Sequence, residues 1–268
     1  MSLPALISAR ELNLQLHDPQ LLIIDLRAPE HYTQGHIPGA VNIPPPRLSC
    51  GQPPAPGKLP SLDELAALLG NIGLSQDRQV VTYDDAGGSW AGRMIWTLAL
   101  LGFDRSSLLD GGFGAWQKAG FALSQEIPQI QPTQLKPDIL PGYIADKQEI
   151  LQNLDNPQYK IWDARSAEEY RGEKVHAARG GHIPGAINLD WTRLMDEQLK
   201  LLPADQLSKL LQEAGFSKDQ TIATHCQTHR RSGLTWFVAR KLLGWPHVKA
   251  YPGSWSEWGN CEDTPIEN

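Results

Sequence analysis

The 268-residue sequence predicts an α/β protein built from two copies of one unit, each a mostly parallel sheet flanked by helices. The first observation behind this is an internal repeat. Residues 23–42 read IIDLRAPEHYTQGHIPGAVN and residues 161–188 read IWDARSAEEYRGEKVHAARGGHIPGAIN, sharing D-x-R, an acidic residue before Tyr, G-H-I-P-G-A and a final Asn. The second copy carries an insertion at about 171–180. The second observation is a gap-free correspondence of 80–116 with 222–258 at a shift of 142, which lays Gly102 on Gly244, Gly111 on Gly253 and Trp116 on Trp258. The third is alternation of short apolar runs with helical segments in each copy, with crossovers of the length that parallel strands require. The copies span 5–124 and 143–268; between them 125–142, with Pro128, Pro132, Pro137 and Pro141, reads as an extended linker.

Taken in order, Ser8 and Glu11 have capping-box spacing before an apolar helix face, and Leu21–Asp25 is a short apolar strand. Val41–Ile43 is a further strand. Ser61 and Glu64 open a helix that Gly70 or Gly73 ends. Val80–Tyr83 is a strand, Trp90–Leu101 a helix by length and apolar content, and Ser107–Leu109 a strand. The second copy repeats this as strands Tyr159–Trp162, Ile187–Leu189, Thr221–His225 and Val248–Tyr251, with a helix over Ser232–Leu243. In such sheets ligands bind beyond the carboxyl ends of the strands, where helices begin.

Composition narrows the function. With 41% hydrophobic and 20% charged residues, the chain can bury real cores, which excludes a disordered chain. Lys+Arg 24 against Asp+Glu 30 leaves a formal charge of −6, which argues against nucleic acid or an anionic membrane as partner while allowing a local basic pocket. The apolar stretch from Met94 to Phe103 is far short of the roughly 20 residues of a membrane span. The opening MSLPALISARELN has no basic segment followed by an apolar one, so no signal peptide is expected. Cys50, Cys226 and Cys261 form neither a disulfide framework nor paired zinc spacing, so a reduced, cytoplasmic protein without metal is expected.

Duplication acts as an internal control. G-H-I-P-G-A occurs in both copies, at 35–40 and 181–186, and reads as a tight turn that makes His36 and His182 structural. The loop after Val80–Tyr83 differs between the copies. It reads Asp84-Asp85-Ala86-Gly87-Gly88-Ser89 in the first and Cys226-Gln227-Thr228-His229-Arg230-Arg231 in the second, with Asp84 in the place of Cys226. A turn of this kind gathers backbone N–H groups into an anion-binding concavity. Arg230, Arg231 and the nearby helix N-terminus favour thiolate over thiol at Cys226, an activated nucleophile rather than a buried hydrophobe. A metal site from Cys226, His229 and His225 is disfavoured, because two arginines oppose a divalent cation. Cys50, in the Pro/Gly-rich loop 44–60, and Cys261 have no such basic neighbours and read as bystanders.

D-x-R…E-Y…G-H-I-P-G-A…N followed by a strand ending in cysteine resembles the rhodanese family, over essentially the whole chain. Cysteine in the second copy alone, and a loop beginning C-Q-T-H, resemble the family's bacterial tandem form. The resemblance implies two rhodanese-like domains, an inactive first and a catalytic second. It implies a Cys226 persulfide formed from thiosulfate with sulfite leaving, and a thiophile such as cyanide or a thiol removing the sulfur. That cycle is ping-pong and needs no cofactor; the partners are a small-molecule sulfur donor and acceptor, the acceptor also conceivable as a protein, and the chain is expected to be a monomer. Substrate-binding candidates are His229, Arg230 and Arg231, where the loop concentrates its charge, and Arg165, which matches a substrate-contacting arginine of the family. Arg27 holds the same place in the copy without cysteine, so an ion pair of Arg165 with Glu168 or Glu169 is an equal reading. Trp191 is a candidate pocket wall.

The resemblance is incomplete in the loop. Vertebrate-type thiosulfate enzymes have basic residues where Gln227 and Thr228 stand, and mercaptopyruvate enzymes have a small Gly/Ser-rich loop; charge at the loop end suits a dianionic donor. A rival reading is a Cys-dependent phosphatase, but His225-Cys226 to Arg231 gives C-x4-R rather than C-x5-R, a tighter cradle. A second rival is a persulfide carrier or sensor that delivers sulfur to a protein partner.

Overall fold

A computed structural model describes residues 3–268. Two parallel sheets organise the chain. The first contains β1 (Leu6–Ile7), β2 (Leu21–Asp25), β3 (Val41–Asn42), β4 (Gln79–Tyr83) and β5 (Ser106–Leu109) in the order β1-β5-β4-β2-β3. The second contains β6 (Tyr159–Asp163), β7 (Ile187–Asn188), β8 (Thr221–His225) and β9 (Val248–Ala250) in the order β7-β6-β8-β9. All pairings are parallel. Where β1 has its counterpart, the second sheet keeps a single parallel bridge from Ile144 to Ala250.

The helices are α1 (Ala9–Asn13), α2 (Pro29–Gln34), α3 (Leu62–Asn71), α4 (Ser89–Leu100), α5 (Gly112–Lys118), α6 (Lys147–Gln152), α7 (Ala167–Tyr170), α8 (Ala204–Glu213), α9 (Arg231–Trp236) and α10 (Ser254–Trp258). Ser8 and Ser61 form their capping boxes with Glu11 and Glu64, and Asp146 caps α6. Gly73, at φ +73°, follows α3. Gly70 stays inside the helix, where an added Cβ would lie 2.4 Å from the Thr133 carbonyl of the passing connector. The helix expected over Ser232–Leu243 is α for six residues and then widens into a π turn over Phe237–Leu242. The Leu243 N–H reaches back five residues to the Val238 carbonyl, a departure that no local sequence signal marks.

Strand alternation splits each sheet's side chains between two layers. Leu22, Ile24 and Val80 pack with α3 and α4 residues, and Ile23, Val81 and Tyr83 with Trp116 and Phe113. In the second sheet Ile161 and Ala223 pack against Tyr251, Trp255 and Trp258. The remaining core is shared: Ala91, Ile95 and Trp96 of α4 lie in one cluster with Trp162, Leu234 and Phe237. Helices α4 and α9 cross so closely that a Cβ on Gly233 would sit 2.6 Å from Arg93 Cα, and one on Gly92 2.7 Å from Leu234 Cα. The carboxyl end of β8 is thereby pressed against the first unit. The repeated histidines brace turns: His36 stacks on Tyr32 at 3.8 Å and His182 on Tyr170 at 3.6 Å, each ring Nδ1 on that tyrosine's carbonyl. Among the described residues no helix is long and apolar enough to cross a membrane.

Candidate active site

Strand β8 ends at His225, and the chain turns through 226–230 into α9. Cys226 stands at the start of that turn, 1% exposed, at the floor of a cavity of about 480 Å³. Glu169, Lys174, His176, Trp191, Thr228, Arg230 and Arg231 are among the residues lining it. Burial raises the Cys226 pKa, but Arg231 and hydrogen bonds from the Ser232 hydroxyl, the Ser232 N–H and the Thr228 N–H outweigh it, so the thiol lies below its ordinary range. Below the thiol, the Cys226 N–H donates to Ser254 Oγ at 3.4 Å.

The expected site residues part company. Arg231 lines the cavity and is clamped by Glu169, with Nη1–Oε2 at 2.6 Å and Nη2–Oε1 at 2.9 Å. Burial would lower its pKa; Glu169 and the Cys226 thiolate raise it instead. Arg230 also lines the cavity, but its Nε donates to Ser89 Oγ at 3.0 Å and its guanidinium sits 5.2 Å from the Trp90 ring, bridging to the first unit. His229 does not face the cavity. It is fully buried at φ +58°, its Nδ1 is 2.8 Å from Ser232 Oγ, and it meets Trp96 edge-on at 4.4 Å. Burial and Arg93 hold its pKa well below the ordinary value, so it is neutral and unsuited to binding an anion.

Arg165 is likewise not a cavity residue. It is 1% exposed, forks onto Asp163 (Nη2–Oδ2 2.6 Å), donates to the Gly181 carbonyl and lies 4.4 Å from the Trp255 ring. Its ion-pair partner is Asp163, not Glu168 or Glu169, because D-x-R folds back on itself. Arg27 does the same with Asp25 and the Gly35 carbonyl. Trp191 stands in the cavity wall as expected.

Four groups at the site escaped the sequence reading, one bonded to the thiol and three lining the cavity. Ser232 is the residue after Arg231, and its hydroxyl is aimed at the thiol. Glu169 falls where the first copy has His31, and Lys174 and His176 belong to the insertion of the second copy. Differences between the copies, followed beyond the cysteine loop, mark the last three. Lys174 makes no ion pair among the described residues and lines the cavity; the insertion is tied to the loop by the Gln227 Nε2 bond to the His176 carbonyl at 2.9 Å.

The first unit has the same cradle, filled. Asp84 Oδ1 accepts from the Ala86 and Gly88 N–H groups and Oδ2 from those of Trp90 and Ala91, at 2.8–3.0 Å. At the shift of 142 these are the equivalents of Thr228, Arg230, Ser232 and Gly233. The loop therefore gathers N–H groups without any arginine, and a carboxylate of the chain occupies the place of an anionic ligand.

Two parallel α/β units, one with its cradle filled by a carboxylate and one bearing a thiol at the same place, define a duplicated protein whose copies differ at one loop. The rhodanese-like domain family matches residues 8–119 and 146–261, and the chain belongs to that family. It is 46% identical over 266 residues to a thiosulfate sulfurtransferase of Azotobacter vinelandii, covering 99% of this chain and 98% of the relative. It is 43% identical over 265 residues to a thiosulfate sulfurtransferase of Pseudomonas aeruginosa, covering 99% and 97%. A solved 3-mercaptopyruvate sulfurtransferase of Escherichia coli superposes with a TM-score of 0.84 at 29% identity, over 94% of this chain and 99% of that one.

Replacing Arg231 by alanine removes the cation that favours the Cys226 thiolate and leaves Glu169 without its ion-pair partner. The Cys226 pKa is expected to rise by about 1–2 units, moving the onset of iodoacetamide alkylation to higher pH. Arg230→Ala, whose charge is directed toward Ser89 and Trp90, should shift it less; equal shifts would show that the two arginines share the thiolate.

Proposed function

We propose that the chain transfers sulfane sulfur from thiosulfate to a thiophilic acceptor, cyanide or a thiol, through a persulfide on Cys226. The observation that carries this is the single thiol held in an N–H cradle at the floor of a cavity carrying Lys174, Arg230 and Arg231. The relatives named thiosulfate sulfurtransferase agree with it. The Cys226 thiolate attacks the outer sulfur of thiosulfate; the new S–S bond forms as the old one breaks, and sulfite leaves with the bonding pair. The acceptor then attacks the outer persulfide sulfur and regenerates the thiolate. Negative charge stays near the cradle throughout, so the Thr228 and Ser232 N–H groups, the Ser232 hydroxyl and Arg231 stabilise each stage without rearrangement. In this reading Lys174, with a lesser share from Arg230, meets the sulfonate end of the donor, replacing cations that Gln227 and Thr228 do not supply.

In this reading 5–124 is the silent domain, 125–142 the linker and 143–268 the catalytic domain. The chain is read as a monomer of the cytoplasm, whose reducing milieu suits three free cysteines.

Incubation with thiosulfate followed by intact-mass measurement tests the proposal. A gain of roughly 32 Da is expected on a covalent nucleophile. It should map to Cys226, disappear with cyanide, be absent from Cys226→Ala and persist in Cys50→Ala and Cys261→Ala. An unchanged wild-type mass would refute the reading; loading that passes to a protein acceptor but not to cyanide would favour the carrier.

A further inference from the structure

Arg93 lies on α4 of the silent unit and is fully buried. It makes no ion pair among the described residues. Its guanidinium is instead surrounded by carbonyls. Nε and Nη2 donate to Leu48 O at 3.2 and 2.6 Å, Nη2 also to Gly57 O at 2.8 Å, and Nη1 to Thr228 O and His229 O at 3.2 and 3.3 Å. The last two belong to the Cys226 loop. In the second copy the corresponding residue is Thr235, so Arg93 is a single-copy feature, like Cys226.

A buried charge without a counter-ion is expensive, and arginine does not escape by losing its proton. The titratable groups that act on Arg93 are Cys226 and Cys50, both of which favour its charge, and His229, which it keeps neutral. Arg231 and Glu169 lie on the cavity side of the loop. The Cys226 pKa is lowered. Geometry adds to charge. In a trans peptide C=O and N–H point in opposite directions, so fixing the carbonyls of Thr228 and His229 aims the N–H groups of His229 and Arg230 away from Arg93. In the first copy the N–H equivalent to that of Arg230, on Gly88, is one of the four that bind Asp84.

We infer that Arg93 is a positioning residue of sulfur transfer, supplied by the domain that lacks the nucleophile: it holds the Cys226 loop by its carbonyls and provides the buried charge that the thiolate neutralises. The first unit then completes the active site from behind the Cys226 loop, although the residues lining the cavity belong to the second unit. This rests on the proposed sulfurtransferase reading for the rate, but not for the thiol.

The full chain is compared with Arg93→Gln and Arg93→Lys by thermal unfolding, by the pH dependence of alkylation at the Cys226 peptide, and by the rate of persulfide loading from thiosulfate. Arg93→Gln should raise the alkylation midpoint by about one unit or more and slow loading at least tenfold. Arg93→Lys should hold the midpoint closer to wild type, since charge remains, yet slow loading about fivefold or more, since one ammonium cannot hold four carbonyls. A folded Arg93→Gln with wild-type midpoint and loading overturns the inference. Should that variant not fold, Arg93→Lys decides: slowed loading in a folded protein supports it, and wild-type loading overturns it. Should wild type itself not load, the sulfurtransferase reading fails, and the midpoints alone decide whether Arg93 supports the thiolate.

Discussion

Asp84→Ala is expected to destabilise the protein by about 3–5 kcal/mol, although Asp84 belongs to the copy without the loop cysteine. Its carboxylate is the acceptor for the N–H groups of Ala86, Gly88, Trp90 and Ala91. Each donor left buried and unpaired costs about 1–3 kcal/mol, and water entering from the adjoining cavity offsets part of the sum. Asp84→Asn keeps the side chain's shape and one acceptor oxygen, and should lose about half as much. The vacated cradle should then bind a free anion, so inorganic sulfate at fixed ionic strength should stabilise Asp84→Ala more than wild type in thermal unfolding. A neutral Asp84→Ala would mean that the loop relaxes and the cradle is imposed by its ligand.

Gly233→Ala is the second large effect. A methyl there would stand 2.6 Å from Arg93 Cα and N, atoms of the α4 backbone, so only separation of the two helices relieves the overlap. Overpacking of this kind costs about 3 kcal/mol, more than the roughly 1 kcal/mol that alanine adds in helix propensity. Gly92→Ala, 2.7 Å from Leu234 Cα, should behave alike, while Gly114→Ala in α5 meets nothing within 4 Å and should stabilise slightly. Urea unfolding of the three variants checks this; a neutral Gly233→Ala would show that the helices can slide apart without loss.

The elements readable in the sequence were those with a local cause. Leu21–Asp25, an apolar run, and Thr221–His225 match their strands residue for residue, and Ser8 and Ser61 announce their helices by side-chain chemistry. The shift of 142 between the copies placed Asp84 in the position of Cys226, which the cradle geometry repeats. What sequence could not assign was direction. His229 and Arg231 are two residues apart in one basic loop, yet the left-handed turn at His229 sends its ring into the core while Arg231 faces the cavity. Arg165 looked available because its partner Asp163, two residues away, is engaged only when the chain folds back. Arg93 is invisible locally, because its ligands come from loops 45, 36 and 135 residues away.

The turn at His229 also has an energetic consequence. The equivalent residue of the first copy is Gly87, at φ +67°, for which such a conformation is nearly free. In the second copy a histidine adopts φ +58°, and Ser254, which accepts the Cys226 N–H, adopts φ +53°. Left-handed backbone at a residue bearing a Cβ costs about 1–2 kcal/mol. The Cys226 loop thus stores strain that the equivalent turn of the first copy does not carry, held in place by packing of His229 on Trp96 and by its bond to Ser232. One turn exists at two energies within one molecule, strained where a histidine occupies it and relaxed where a glycine does.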